Sequence, residues 1–166
     1  MKKRIIFIAI ILVIISLTFL VVNAKKNSTK SGNSSSPVPT PVIKQIKIND
    51  TDVKVTVANT EELRTKGLTG LDSLPQKEGM LFVFESKNII PSFWMKGMKF
   101  PLDFIWIKDG VVSQLDANIP YPSSDTMDNG IKVYIPNSSV DYVIEVNAGF
   151  SAVNNIKVGD KVYLSL

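Results

Sequence analysis

Asp103-Phe-Ile-Trp-Ile107-Lys108-Asp109-Gly110-Val111-Val112 reads as two strands joined by a tight turn. β-Branched and aromatic side chains fill the first strand, and Asp-Gly supplies the two residues that most readily take positive φ in a two-residue hairpin. Upstream, Val42 to Ile48 and Val53 to Val57 alternate apolar and polar residues around an Asn49-Asp50 turn, which predicts a second pair of strands. Asn59-Thr-Glu-Glu62 predicts a helix start with Asn59 as N-cap and Glu62 at the third helical position, closing at Gly67 or Gly70. Met80 to Phe84 is too short and aromatic for a helix, and Phe93 to Met95 after Pro91 reads as a strand piece. Downstream, Ile131 to Ile135 and Val140 to Val146 alternate, a short helix is expected over Ala148 to Asn155, and Lys161 to Leu166 forms the last strand. About eight short strands with two short helices predict one mostly β domain over residues 42–166, a small β-sandwich or barrel-like fold.

Composition narrows the chemistry. The 166 residues contain neither Cys nor His. This excludes a Ser-His-Asp triad, a Cys nucleophile, imidazole acid–base catalysis, a thiolate or His zinc site, and a lipidated Cys after the apolar N-terminus. The net charge of +4 belongs to the N-terminus, because residues 1–40 hold six Lys or Arg and no acid. Residues 41–166 keep 13 bases against 15 acids, scattered singly, so no nucleic-acid partner is expected.

Lys2, Lys3 and Arg4 precede an apolar run from Ile5 to Val22, broken only by Ser16 and Thr18. That order is an export signal, and two readings of it stay open. Val22-Asn23-Ala24 would suit cleavage after Ala24, which makes residues 1–24 a signal peptide. The 18-residue run is nevertheless longer than an ordinary signal core and near the roughly 20 residues of a membrane span. A retained single pass, with the domain outside the cell membrane, is the reading adopted. Residues 25–41, KKNSTKSGNSSSPVPTP, read as a disordered tether.

The collinear order Glu61-Glu62-Leu63-Arg64, Gly67-Leu68, Glu78 to Phe84, Phe93-Trp-Met-Lys96 with Pro101-Leu-Asp103, Tyr142 with Glu145, and Gly159-Asp160 resembles the domain of unknown function 192 family. The resemblance spans about residues 50 to 166 and implies a β-sandwich-like barrel in an extracytoplasmic setting, with no established reaction. The chain departs from the family pattern at Gly97, where an Asn is usual, and around Asp116 to Asn118, where a His is frequent.

Five residues stand out as ligand-binding candidates: Arg64, Trp94, Lys96, Asp103 and Glu145. Asp103 opens an apolar strand, so its carboxylate must be paired, capping a turn or meeting a ligand. Glu145 shares a strand face with Val143; if both faces are covered it is a buried acid, with Arg64 as the natural partner. One of Phe93 and Trp94 must point outward, which places a surface aromatic near Lys96, suited to stacking on sugars or gripping cations. Asp103 with Glu145 is the carboxylate pair for glycosidase-type chemistry, should they converge. Ser92 and Lys96 lack the one-turn spacing of a Ser–Lys dyad. Asp116, Asp125 and Asp128, with Asn118 and Asn129, lack the Ca²⁺-loop spacing and read as a solvated loop, so neither a metal nor a cofactor is expected. The resulting expectation is a non-catalytic module that binds a ligand, an envelope component or a protein. A cell-envelope hydrolase or lyase, and a purely structural envelope protein, are the alternatives.

Overall fold

The computed structural model describes residues 41–122 and 131–165. The apolar run Ile5–Val22 and the tether up to residue 40 lie outside them, as do Asp125, Asp128 and Asn129. No helix among the described residues is long and apolar enough to cross a membrane.

The strands are β1 (Val42–Ile48), β2 (Thr51–Ala58), β3 (Glu78–Val83), β4 (Phe93–Trp94), β5 (Leu102–Lys108), β6 (Val111–Ile119), β7 (Val133–Tyr134), β8 (Tyr142–Asn147) and β9 (Val162–Leu164). Two short helices, α1 (Glu61–Lys66) and α2 (Phe150–Val153), interrupt them. Seven strands form one sheet in the order β6-β5-β8-β3-β2-β1-β9, and β4 pairs with β7 in a separate ribbon. Neighbours in the sheet are antiparallel except β2 and β3, which run parallel. A parallel pair needs a crossover, and α1 lies within it.

The sheet curls until its two edges touch. Val111 of β6 bridges Lys161, the Val112 N–H donates to the Asp160 carbonyl at 2.9 Å, and the Val162 N–H donates to the Gly110 carbonyl at 2.8 Å. The fold is therefore a half-barrel built from one sheet, and of the two architectures expected from sequence it follows the barrel-like one. The hairpin turn is as read, with Asp109 at φ 50° and Gly110 at φ 74°.

All seven strands of the curled sheet send apolar side chains to one shared face, which is the inner core: Ile46, Val55, Leu81, Ile105, Val112, Ile144 and Val162 among them. Phe150 of α2 and Ile156 plug it. On the outer face, β3, β5 and β8 contribute Met80, Phe82, Leu102, Phe104, Trp106 and Val143, and Phe93, Met95 and Met98 cover them. Phe93 sits at the centre of this second core, with ring centroids 4.8 Å from Phe82 and 5.5 Å from both Phe104 and Trp106. Burying each such ring is worth about 2–3 kcal/mol, and edge-to-face pairs add about 1 kcal/mol. These three strands thus have no solvent face.

Three local readings change. Thr60, not Asn59, caps α1: its backbone is extended and its Oγ1 accepts from the Leu63 N–H at 3.3 Å, so Glu62 falls at the second helical position. The segment Ile131 to Ile135 shrinks to the two residues of β7 and pairs with β4 instead of the main sheet. The C-terminal helix shrinks to Phe150–Val153, bounded by Gly149 at φ 81° and Asn155 at φ 52°.

Asp103 locks this arrangement from inside the sheet. It is fully buried, and its carboxylate accepts three backbone N–H bonds. Oδ1 takes those of Asn118 (2.9 Å) and Gly149 (3.0 Å), and Oδ2 takes that of Ser151 (2.9 Å). One side chain thereby joins β5 to the end of β6 and to α2. Hydrogen bonds to a charged acceptor are strong, and three donors are orphaned when it is removed. Asp103→Ala is therefore expected to lower unfolding stability by about 3–5 kcal/mol in urea titration, whereas a loss below about 1 kcal/mol would show that the three N–H groups find other partners.

Candidate functional site

Glu61, Arg64 and Thr65 recur at helical spacing along α1, and Leu68 and Thr69 continue past its Gly67 cap. This ridge faces the outer surface where β3 ends, and with Phe82, Phe84, Phe93, Trp94, Met98 and Glu145 it walls a cavity of about 220 Å³. Gly67 takes φ 51°, so a side chain there would be strained by the backbone, although a Cβ would meet the Phe82 ring at an ordinary contact distance of 3.7 Å.

The register explains why a carboxyl lies in this wall. Glu145 pairs with Met80 of β3 on one side and with Phe104 of β5 on the other, so the pleat turns it outward with Val143, beneath the covering segment. The side chain is 5% exposed. No hydrogen bond or ion pair reaches its carboxyl from any described residue, and burial pushes its pKa up to about 8. The acid is protonated for the most part at neutral pH. Asp141 makes the contrast. Burial opposes its charge too, but the Asp109 N–H (2.8 Å), the Lys108 ammonium (3.2 Å) and the Asn88 N–H (3.2 Å) outweigh it and hold that carboxyl below its ordinary range.

Arg64 lines the same cavity but does not pair with Glu145, which corrects the expected ion pair. Its Nη1 donates to the Val83 carbonyl at 2.9 Å, and its Nη2 lies 3.7 Å from the exposed Glu85 carboxylate. The carbonyl at the end of β3 engages the guanidinium in place of the Glu145 carboxyl. Trp94 is half exposed at the rim while Phe93 is buried, as strand alternation requires. Lys96 is exposed and is not among the cavity-lining residues; its backbone carbonyl accepts from Thr69 Oγ1 at 3.2 Å. Of the five candidates, then, the fold gathers Arg64, Trp94 and Glu145 in one cavity. Asp103 faces the inner core.

That separation also corrects the paired-carboxylate reading. Asp103 and Glu145 lie one residue out of register on neighbouring strands, Asp103 opposite Val146 and Phe104 opposite Glu145, and so project from opposite faces of the sheet. Ser92 lines the cavity without Lys96. Asp116 accepts from Trp106 Nε1 (2.7 Å) and Gln114 Nε2 (3.0 Å), and the described residues contain no cluster of three acids fit for a metal. Glu61 and the Phe82–Phe84 wall escaped the sequence reading. The recurrence of Glu61, Arg64, Thr65 and Leu68 at i, i+3, i+4 and i+7 was the signal that could have found the helical side.

The family model described as Uncharacterized ACR, the domain of unknown function 192, matches residues 44–164. The chain belongs to that family. Gly97, the position at which the resemblance marks a departure, takes φ 72°. A Cβ at this position would stand 2.8 Å from Thr69 Cγ2, so any side chain here requires Thr69 to shift. Among solved structures, a protein of unknown function from Novosphingobium aromaticivorans is 27% identical, with a TM-score of 0.66, over 77% of this chain and 89% of that one. A candidate transcription regulator from Sinorhizobium meliloti 1021 shares the fold at 24% identity and a TM-score of 0.66, over 75% of this chain and 95% of that one. No curated protein matches the chain.

A carboxyl whose pKa rises from 4.5 to about 8 on folding binds its proton more tightly in the folded state. Stability should therefore fall as pH rises from 4.5 to 8, by a few kcal/mol in all, and stay level for this group above that. Glu145→Gln removes the titration. The difference in melting temperature between variant and wild type is expected to widen in favour of the variant across that window, and a difference independent of pH would show that Glu145 is solvated or paired.

Proposed function

We propose that the chain is a non-catalytic binding module whose ligand enters the cavity between α1, the end of β3, β4 and β8. The observation that carries this reading is Glu145, a 5% exposed residue that lines the cavity and whose carboxyl has no hydrogen-bond or ion-pair partner among the described residues. Buried polar groups in native proteins nearly always have partners, and an orphan in a cavity wall is the place to look for one that arrives from outside. The apolar walls provide the desolvated surface, and Trp94 at the rim adds a flat face. Binding is favoured over hydrolysis because the expected second acid, Asp103, is taken up by three backbone N–H groups, and the other carboxylate in the lining, Glu61, is exposed on α1.

In this reading the module works outside a membrane, held there by the Ile5–Val22 span and the tether that follows it. Its ligand is then an extracytoplasmic small molecule or an exposed group of an envelope component. The acidic balance of residues 41–166 supports a partner other than nucleic acid.

Two measurements test the proposal. The full chain in detergent is melted against a panel of wall sugars, amino acids, amines and short peptides. A ligand at a hundred times its dissociation constant adds about 2.7 kcal/mol, a shift of several degrees, which Glu145→Gln and Trp94→Ala should each reduce. A hit that neither substitution alters would move the site elsewhere. Sequencing the N-terminus of the membrane-extracted protein is expected to return residues ahead of Ala24, and a start at Lys25 would replace the retained span with a cleaved signal.

A further inference from the structure

We infer that the ligand of this cavity presents an organic ammonium ion, which sets its charge against the Glu145 carboxylate and its carbon atoms among Phe82, Phe84, Phe93 and Trp94. The inference rests on reading the cavity as a binding site and adds the chemical class of its occupant.

Three features of the wall select a cation. First, Glu145 is the buried acid of the lining, and no basic side chain among the described residues is bonded to it. An entering anion would be repelled once that group ionises, and an entering cation would supply the missing counter-charge. Second, the guanidinium in the lining is already engaged: Arg64 gives Nη1 to the Val83 carbonyl and has Glu85 beside Nη2. The remaining charged groups in the lining are Glu61 and Lys66, both on α1 with Arg64. Third, four of the lining residues are aromatic. The faces of aromatic rings attract a desolvated cation, and an alkylated ammonium spreads its charge over carbon that packs on such rings. A cavity of about 220 Å³ limits the group to a compact headgroup of a few carbon atoms.

The proton balance gives the inference its signature. The free site holds Glu145 mostly as the acid near neutral pH, and the ammonium requires the carboxylate. The proton leaves to buffer as the cation enters, so one proton is exchanged for one cation. Affinity for a permanently charged cation should then rise about tenfold from pH 6 to pH 7 and level off above pH 8.

The test uses isothermal titration of the full chain with choline and with n-butylammonium, each beside its uncharged isostere, 3,3-dimethylbutan-1-ol and 1-butanol. The expected result has at least one ammonium binding tenfold or more above its isostere, with close to one proton released at pH 7 as read from buffers of different ionisation enthalpy. Glu145→Gln should abolish both the preference and the pH dependence. Trp94→Ala, at a rim position where folding is not at stake, should weaken the ammonium more than the alcohol. Alcohols binding as well as or better than the ammonium ions would overturn the ammonium assignment and leave the cavity as a binding site for neutral ligands. If no probe binds while another compound gives a Glu145-dependent melting shift, the assignment likewise fails and the binding reading stands. If no compound of any class gives such a shift, both fall together.

Discussion

Strands β5, β8 and β3 are covered on both sides, by the inner core and by the Phe93–Met98 segment with its aromatic cluster. A strand that alternates side chains cannot hide a polar residue when neither of its faces meets water. Every polar group in the middle of these three strands must therefore be met by the protein or left in want of a partner. Asp103 and Glu145 are the two carboxylates placed under that constraint, and their different fates organise the molecule.

Asp103 shows the structural solution. Three backbone N–H groups converge on it from the end of β6 and the start of α2, so a charge that would be costly to bury becomes the joint that holds the helical plug. Asp141 is handled in the same manner at the opposite end of the sheet, where it collects the Asp109 and Asn88 N–H groups and Lys108. Glu145 has none of this. A hydrophobic residue of similar size would suit its strand position better for folding alone, since it sits between Met80 and Phe104. Conflicts between local environment and residue type are expected at functional sites, which makes the exception informative.

Family membership and fold likeness leave function to be argued from the site, because one fold hosts many unrelated activities. The solved relatives share the curled sheet, and neither brings a described reaction. What distinguishes a binding reading from a catalytic one is the topology itself. The half-barrel sends Asp103 inward and Glu145 outward, so the two acids cannot act on one bond.

Much of the fold was legible in the chain because its signals are local. Asp109-Gly110 dictates a hairpin by backbone sterics, alternation marks β1 and β2, and Gly67 stops α1, each without reference to distant residues. The absence of His and Cys likewise decided which catalytic chemistries were closed. The helix cap slipped by one residue because Asn59 and Thr60 are both good caps, and only the path of the preceding strand chooses between them. Three of the five candidate residues fell together in the cavity, yet nothing local could say so. Whether Arg64 meets Glu145 depends on where the β3 carbonyl of Val83 lies, and whether Asp103 meets Glu145 depends on which strand face is inside. Those are questions of register and sheet closure across tens of residues of chain. Short-range sterics set the elements, and long-range pairing alone decided which side chains share a cavity and which acid was left without a partner.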